Sequence, residues 1–318
     1  MRKMNKIVVL GSSNTDLVVR SSRMPRAGET LLGGDFMMAA GGKGANQAVA
    51  IARLGSPVTF IAKVGCDMFG ERAVEQYAAE GIDTSTILRD KEMPSGVAII
   101  TVNDAGENCI VVAGGANNGM TVADVDSMRD RIESAEYLLM QLEVPMPVVE
   151  HAAEIAFAAG VKVILNPAPA AKLSDGLLAK CYMLTPNETE CGVIAGVPVE
   201  NCEQAEAAAE MLIAKGVRNV IVTLGGKGSL YKSATERAII PACRVKAVDT
   251  TAAGDTYNGA LCLALSEGRT IREAAEFATK AAAISVTRAG AQPSLPTRCE
   301  VEEFDASKYA EAPLRAGA

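Results

Sequence analysis

The sequence predicts an α/β fold: a doubly wound, mainly parallel sheet flanked by helices, with a small inserted β-sheet that serves as a lid. Short β-branched runs alternate with helical patterns through most of the 318 residues, as in right-handed βαβ units. Two further pairs of segments have strand character without a helix between them. Polar residues and glycines follow the ends of the predicted parallel strands.

Six apolar runs predict the parallel strands, because runs buried on both faces are nearly continuous rather than alternating. They are Ile7–Leu10, Val58–Ile61, Tyr137–Gln141, Lys162–Leu165, Tyr182–Leu184 and Asn219–Leu224. Apolar residues at helical spacing predict the helices. These are Ala45–Leu54, Glu71–Glu80, Thr121–Ser134, Pro147–Ala159, Glu203–Lys215, Gly254–Ser266 and Thr270–Val286. We expect one domain over residues 1–309, followed by a flexible tail at 310–318.

The lid is predicted from two pairs of strand-like segments within about residues 15–40 and 95–113. The second pair is a hairpin with a turn at Asn103–Gly106. We expect a small antiparallel sheet, with an edge extension of the main sheet as the alternative. The pairs are Asp16–Arg20 with Thr30–Ala39, and Gly96–Val102 with Asn108–Val112.

Composition excludes several classes of function. A net charge of −7, 4% aromatic residues and no Trp argue against binding nucleic acid. His151 is the single histidine, and the eight cysteines form no CxxC pair, so a zinc site or a Cys–His nucleophile is not expected. The run Ile7–Leu10 is too short for a secretory signal, and no run approaches the ~20 apolar residues of a membrane span. We expect a cytoplasmic protein.

Polar residues and glycines follow several predicted strands at their carboxyl ends, where ligands bind in open α/β sheets. The alternative at any one position is a turn former or helix cap. The residues are Asn14, Asp16, Glu143, Asn166, Asn187, Gly225 and Gly226.

Two glycine-rich loops could approach a ligand through their backbones. Gly41–Asn46 opens the first long helix and adds Lys43 and Asn46 as donors, with a solvated surface lysine as the alternative for Lys43. Leu224–Ser229 connects two strands. Neither loop fits GxxxxGK[ST] and the chain lacks GxGxxG, which argues against P-loop NTPases and nicotinamide dehydrogenases.

The most specific motif is Asp249–Thr256, just before a helix. Small residues at Ala252, Ala253 and Gly254 would bring backbone N–H groups to the start of that helix, forming an anion hole for a transferring phosphoryl group. Asp255, in the first turn, could accept a proton from an attacking alcohol. The alternative is that Asp255 only caps the helix.

Together these motifs resemble the ribokinase family of carbohydrate kinases, the PfkB group, from about Val8 to Phe304. The segments that carry the resemblance are Gly11–Asp16, Gly41–Asn46, Asn166–Pro169, Thr185–Glu190, Asp249–Asp255 and Gly290–Ser294. The resemblance implies ATP-dependent phosphorylation of D-ribose at O5, with Mg²⁺, a K⁺ activator and a homodimer joined through the lid sheets.

The resemblance also implies a role for individual residues. Asp255 is the base, with Ala252, Ala253 and Gly254 as the anion hole. The sugar site comprises Asn14, Asp16, Gly42, Lys43, Gly44, Ala45, Asn46 and Glu143. The nucleotide site comprises Asn187, Thr223, Leu224, Gly225, Gly226, Lys227, Gly228, Gly254 and Thr279. Glu190 helps hold Mg²⁺ through water, and the K⁺ ligands are Asp249, Thr251, Ser285, Arg288, Gly290 and Ser294.

Two alternatives remain open. The first is a kinase for another sugar, such as deoxyribose or fructose, because specificity is a difference of affinities. The second is a sugar- or nucleotide-binding regulator without turnover. Substitution of Asp255, Lys43 or the anion-hole residues would have favoured the regulator, and all are intact.

Overall fold

Residues 6–306 are described by the computed structural model. The strands in this range are β1 (Ile7–Leu10), β2 (Asn14–Arg20), β3 (Phe36–Gly41), β4 (Val58–Gly65), β5 (Ile87–Asp90), β6 (Gly96–Val102), β7 (Asn108–Ala113), β8 (Tyr137–Met140), β9 (Lys162–Leu165), β10 (Cys181–Leu184), β11 (Asn219–Thr223), β12 (Ser229–Ser233) and β13 (Arg237–Ile240). The predicted tail at 310–318 lies outside the described residues.

The helices in the same range flank these strands. They are α1 (Lys43–Arg53), α2 (Met68–Ala79), α3 (Val122–Ser127), α4 (Arg129–Glu133), α5 (Met146–Ala158), α6 (Asp175–Leu178), α7 (Glu188–Ala195), α8 (Cys202–Ala214), α9 (Ala253–Ser266), α10 (Ile271–Ser285) and α11 (Arg298–Glu302). None of the helices in the described part of the chain has the length and apolarity needed to cross a membrane.

The main sheet has nine strands in the order β13-β12-β11-β10-β9-β8-β1-β4-β5. Its strands run parallel from β5 to β11, and β12 turns back antiparallel to β11. The prediction of a mainly parallel sheet with flanking helices is confirmed. All six predicted parallel strands are present, and their carboxyl ends meet at one edge of the sheet.

Both faces of the sheet are buried, which explains the continuous apolar runs. In β1, Ile7 and Val9 pack into one core cluster, while Val8 and Leu10 pack into the other. Successive side chains of a strand point to opposite faces, so a strand with helices on both sides is apolar throughout. Each of these four residues is at most 1% exposed.

Helices α1 and α9 approach closely because Gly259 has no side chain. A Cβ at Gly259 would lie 2.8 Å from Ala50 Cβ and 2.9 Å from the Gln47 main-chain oxygen. The close approach brings the amino-terminal ends of the two helices together at the carboxyl edge of the sheet. These two ends carry Gly42–Asn46 and Ala252–Asp255, the two most specific segments of the sequence.

One helix differs from its prediction. The pattern over 121–134 predicts a single helix, whereas the structure has α3 and α4, separated at Met128 with φ −108° and ψ 9°. Those angles lie outside the α region. The pattern persists across the break because Val125 and Ile132 are both buried in the same core cluster.

The predicted lid is a separate four-stranded sheet of order β3-β2-β6-β7, and not an extension of the main sheet. Two of its features correct the prediction. The central pair, β2 with β6, is parallel, although the outer pairs are antiparallel. β2 and β6 follow β1 and β5, which run in the same direction in the main sheet, so both enter the lid in the same sense. The strand predicted from Thr30 begins only at Phe36.

Candidate active site

The carboxylate of Asp255 lies where the amino-terminal ends of α1 and α9 meet. Its Oδ2 accepts a hydrogen bond of 2.9 Å from Asn46 Nδ2, and its Oδ1 accepts one of 2.9 Å from Gln47 Nε2. Asp255 is 7% exposed. Residues more than 200 positions apart in the sequence therefore converge on this carboxylate, from the two segments singled out in the sequence.

Asp255 is one of several charges in the site. Burial raises the pKa of the Asp255 carboxyl, against the opposing effect of the nearby Lys43 ammonium. Burial likewise raises the pKa of Asp16 to about 6, with further contributions from the charges of Glu143 and Asp255. Several carboxylates thus share one partly buried region, and each makes it harder for its neighbours to ionise.

Lys43 is the cation of this region. Burial by itself lowers the pKa of the Lys43 ammonium, but the surrounding carboxylates outweigh it and raise that pKa above its ordinary value. A solvated surface lysine does not match this environment. The carboxylates belong, in decreasing order of effect, to Asp255, Glu143, Glu190 and Asp16.

The glycine loop fits tightly against the turn after β1. Gly42 has φ 89°, a left-handed backbone value, and a Cβ there would lie 2.8 Å from the Asn14 main-chain nitrogen. A Cβ at Gly44 would lie 2.6 Å from the main-chain carbon of Gly11. Only glycine fits these two positions. A Cβ at Gly41 would lie 2.4 Å from each carboxylate oxygen of Asp16.

Glu143 and Asn14 are each oriented by specific partners. Glu143 Oε2 accepts hydrogen bonds from Ser12 Oγ at 2.6 Å and from the Lys43 main-chain N–H at 3.0 Å. Asn14 Oδ1 accepts from Asn117 Nδ2 at 2.8 Å. Asn117 also exchanges two hydrogen bonds with the backbone of Ser13. Glu143 thereby joins the turn after β1 to the glycine loop.

The turn before α9 has the backbone geometry of an anion site. Ala252, the N-cap, has φ 58° and ψ 13°, and is the one non-glycine residue with positive φ among residues 6–306. The Ala253 N–H, predicted as part of the anion hole, donates to Thr250 O at 3.2 Å, whereas the N–H groups of Gly254 and Asp255 lie in the first helical turn, where they have no intrahelical acceptor. A Cβ at Gly254 would meet nothing within 4 Å, so the space in front of this turn is open. This arrangement can accept a negatively charged group.

The predicted nucleotide segments lie at the ends of β10 and β11. Asn187 and Thr223 form a parallel bridge, and the Thr223 main-chain N–H donates to Pro186 at 2.9 Å. The turn at Gly225–Lys227 is a short 3₁₀ helix. A Cβ at Gly225 or Gly226 would meet nothing within 4 Å, so the space beside both glycines is open. Gly228, in contrast, packs against the main chain at Ile240 and closes the turn.

Two of the predicted nucleotide-binding residues, Thr279 and Asn187, and the predicted Mg²⁺ ligand Glu190 form hydrogen bonds within their own segments of the chain. The Thr279 hydroxyl donates to Ala275 O within α10 at 2.8 Å. Asn187 and Glu190 form a reciprocal capping box at the start of α7, with bonds of 2.8 and 2.9 Å. Burial raises the pKa of Glu190, although the Asn187 N–H opposes this.

The residues predicted to bind K⁺ lie on two loops that Asp249 joins. Asp249 accepts from the Thr251 N–H and hydroxyl through one oxygen, and from the Gly290 N–H through the other. The Ser285 and Ser294 hydroxyls donate to main-chain oxygens of their own turns. The Arg288 guanidinium pairs with Glu300. The hydroxyl and main-chain oxygens of these loops are ligands that suit a hard cation.

Several residues of the site were not identified from the sequence. A buried chain of hydrogen bonds runs from Asp255 beneath the carboxyl edge of the sheet. Asn166 was noted at a strand end, but its partners lie far away in the sequence and no local spacing indicated them. The additional members are Gln47, Gln141, Thr185 and Asn258, together with Ser12 and Asn117, which contact Glu143 and Asn14.

The family model for "pfkB family carbohydrate kinase" matches residues 4–298, nearly the whole chain. The chain belongs to the PfkB family of carbohydrate kinases. A ribokinase of Haemophilus influenzae is 47% identical over 96% of this chain and 99% of its own length. A deoxyribokinase of Salmonella typhi is 39% identical over 94% of this chain and 97% of its own length.

The fold is also that of solved PfkB-family structures. The structure of Arabidopsis thaliana ribokinase complexed with ribose and ATP matches with a TM-score of 0.90 and 33% identity, over 95% of this chain and 99% of that one. The separate lid sheet and the doubly wound main sheet therefore belong to the ribokinase fold.

Proposed function

We propose that this chain is an ATP-dependent kinase that phosphorylates D-ribose at O5, giving D-ribose 5-phosphate and ADP. The observation that carries the proposal is the buried Asp255 carboxylate, held by two amides of α1 directly beside the small-residue turn at the start of α9. One carboxylate thus adjoins both a polyol-binding loop and an anion site. The similarity to ribokinases over nearly the full chain supports the choice of sugar.

In the proposed reaction, Asp255 accepts the proton of the sugar 5-hydroxyl as its oxygen attacks the γ-phosphorus of ATP. The new O–P bond forms, the bond to the bridging oxygen breaks and ADP leaves. General-base help of this kind contributes about 10²–10⁴ in rate. The N–H groups of Gly254 and Asp255 and the Lys43 ammonium stabilise the charge on the transferring group, since donors aimed at that charge need no reorganisation.

The sugar is held by residues that surround Asp255. Asn14, Asp16, Asn46 and Glu143 offer carboxylate and amide groups, which pair with the hydroxyls of a polyol. Asn117 and Ser12 fix two of them in place. A site built to hydrogen-bond hydroxyls discriminates against sugars that lack one of them, because its buried groups are then unpaired.

The donor groups present fit the two cations that this family implies. The charge of Glu190 contributes to the raised pKa of Lys43, so Glu190 belongs to the same charged region. Glu190 would hold Mg²⁺ through water, and Mg²⁺ would neutralise charge on the ATP phosphates. Asp249, Thr251, Ser285, Arg288, Gly290 and Ser294 would hold K⁺ beside the anion site, several of them through main-chain oxygens. The carboxylate of Asp249 itself keeps these loops in register.

An assay over a panel of sugars tests the proposed substrate. We expect D-ribose to give the highest kcat/KM with ATP and Mg²⁺, ahead of 2-deoxyribose and fructose. We also expect activity to fall when K⁺ is replaced by Na⁺. Preference for deoxyribose would favour the alternative that the deoxyribokinase relative suggests. Binding of ribose and ATP without any ADP formation would favour a regulator.

We also propose a cytoplasmic homodimer that associates through the lid sheets. All eight cysteines are free thiols, which suits a reducing compartment. The lid exposes large apolar side chains, an arrangement typical of protein contacts. Those more than half exposed are Phe36, Ile99 and Val111 on one face of the lid, and Met37 and Val112 on the other.

Sedimentation of the wild type and of an Ile99→Lys, Val111→Glu double variant tests the dimer. We expect the wild type to sediment as a dimer at micromolar concentration and the variant as a monomer, since charges on an apolar interface are costly to bury. A wild type that is monomeric at that concentration would refute the interface.

A further inference from the structure

Gln47 contacts the catalytic carboxylate from the interior of the protein. Its Nε2 donates to Asp255 Oδ1 at 2.9 Å and to Asn166 Oδ1 at 3.1 Å. Gln47 is 0% exposed. The neighbouring Asn46 donates to the other oxygen of Asp255, Oδ2. The two carboxylate oxygens therefore have different partners, one on the interior side and one in the proposed sugar site.

The orientation of the Gln47 amide is fixed by its surroundings. The main-chain oxygen of Thr185 can only accept, so Asn166 directs Nδ2 towards it, at 3.2 Å. The Oδ1 atom of Asn166 then points to Gln47 as an acceptor, so Gln47 must donate to it through Nε2. On the other side, Gln141 Nε2 donates to Gln47 Oε1 at 2.6 Å. Turning the Gln47 amide over would set oxygen against oxygen and nitrogen against nitrogen.

Both carboxylate oxygens of Asp255 accept hydrogen bonds, whereas the amide oxygen of Gln141, in the same network, accepts none from the described part of the chain. Gln141 Oε1 is buried and has no hydrogen-bond partner within residues 6–306. A buried acceptor without a partner is destabilising. It lies 2.1 Å from where a Cβ of Gly11 would be, so Gly11 leaves the space that this oxygen occupies. Gln47, in contrast, has both ends of its amide paired.

We propose that Gln47 is a positioning residue for phosphoryl transfer, which holds Oδ1 of Asp255 so that Oδ2, beside Asn46, receives the hydroxyl proton. The inference rests on the proposed function, in which Asp255 is the base. The sugar O–H bond breaks, its proton goes to Oδ2, the O5–P bond forms and ADP leaves with the electrons of the broken P–O bond. Gln47 itself takes no part in the bond changes.

The effect of Gln47 on protonation has a definite sign. A hydrogen bond to the ionised form of a carboxylate lowers its pKa, and Gln47 acts in this direction on Asp255. Loss of that bond raises the pKa, so the acidic limb of the kcat profile moves to higher pH. The charged groups that also face Asp255 are Lys43, Glu143, Asp16 and Glu190.

The test compares Gln47→Glu and Gln47→Leu with a matched buried amide, Asn219→Leu. Asn219 donates to Tyr182 O and accepts from Tyr231 Oη, and makes no contact with Asp255. For both Gln47 variants we expect kcat to fall about tenfold or more, with KM for ribose within about threefold. We expect the acidic limb to move to higher pH than in the wild type. Asn219→Leu should lower the melting temperature and leave that limb in place.

A second measurement separates this inference from the proposed function. Carboxyl ¹³C NMR follows the titration of Asp255 in the resting enzyme, with its signal assigned by Asp255→Asn. A higher pKa of Asp255 in Gln47→Leu, which adds no charge, supports the contact between Gln47 and this carboxylate even if Asp255→Asn keeps its turnover, a result that would refute the proposed base. An unchanged titration, or Gln47 variants with wild-type kcat and acidic limb, would overturn the inference.

Discussion

Replacing Asp255 by Asn is expected to reduce kcat about a hundredfold or more while leaving ribose affinity nearly unchanged. Asn has almost the same shape, so the turn before α9 can persist and the Asn oxygen can still accept from one of the two neighbouring amides, but an amide cannot accept the hydroxyl proton. A transition-state effect lowers kcat without a matching change in binding. Steady-state kinetics together with calorimetric titration of ribose measures both quantities.

Asp126→Asn is the matched control for that experiment. Asp126 is a surface carboxylate that pairs with Arg129 and His151, remote from the site. It should keep wild-type kcat. Turnover of Asp255→Asn within about threefold of wild type would exclude Asp255 as the base.

Lys43→Met is expected to have the second largest effect. It removes the cation that opposes the carboxylates, so the pKa of Asp255 and that of Asp16 should both rise. Less of the base is then ionised at neutral pH, and the transferring phosphoryl group loses a donor. We expect kcat/KM to fall by about 10²–10³, with an acidic limb at higher pH than in the wild type. Kinetics over a range of pH measures both changes.

Lys162→Met serves as the control for Lys43. Lys162 lies over the rings of Tyr137 and Tyr182 at the start of β9, and should be replaceable without loss of turnover. If Lys43→Met kept wild-type kcat/KM and an unchanged acidic limb, Lys43 would have no role in stabilising either the ionised base or the transferring phosphoryl group.

The sequence was sufficient for the features that depend on short segments. The strands of the parallel sheet could be predicted because burial on both faces makes each run continuously apolar, as in Ile7–Leu10. The glycine loop could be predicted because Gly42 adopts a left-handed backbone conformation that favours glycine. The turn before α9 could be predicted because its small residues leave backbone N–H groups accessible at the start of a helix. Their convergence on Asp255 was implied by the family resemblance.

Other features depend on contacts between distant segments. Gln47 and Gln141 lie within a predicted helix and strand, and their hydrogen bond crosses 94 positions. Polar residues at such positions are usually exposed, so nothing local marks them as buried partners of Asp255. The parallel pairing of β2 with β6 depends on where both segments leave the main sheet. The break at Met128 likewise falls inside an uninterrupted apolar pattern.

The most direct test of the proposed function is the identity of the product formed from ATP and ¹³C-labelled D-ribose. Phosphorylation at O5 predicts ³¹P–¹³C coupling to C5 and C4 of the sugar, with one ADP released for each sugar phosphate. At equal enzyme concentration, Asp255→Asn should form this product about a hundredfold more slowly than the wild type, or slower still. Coupling to C1, or ADP release without any sugar phosphate, would contradict the account.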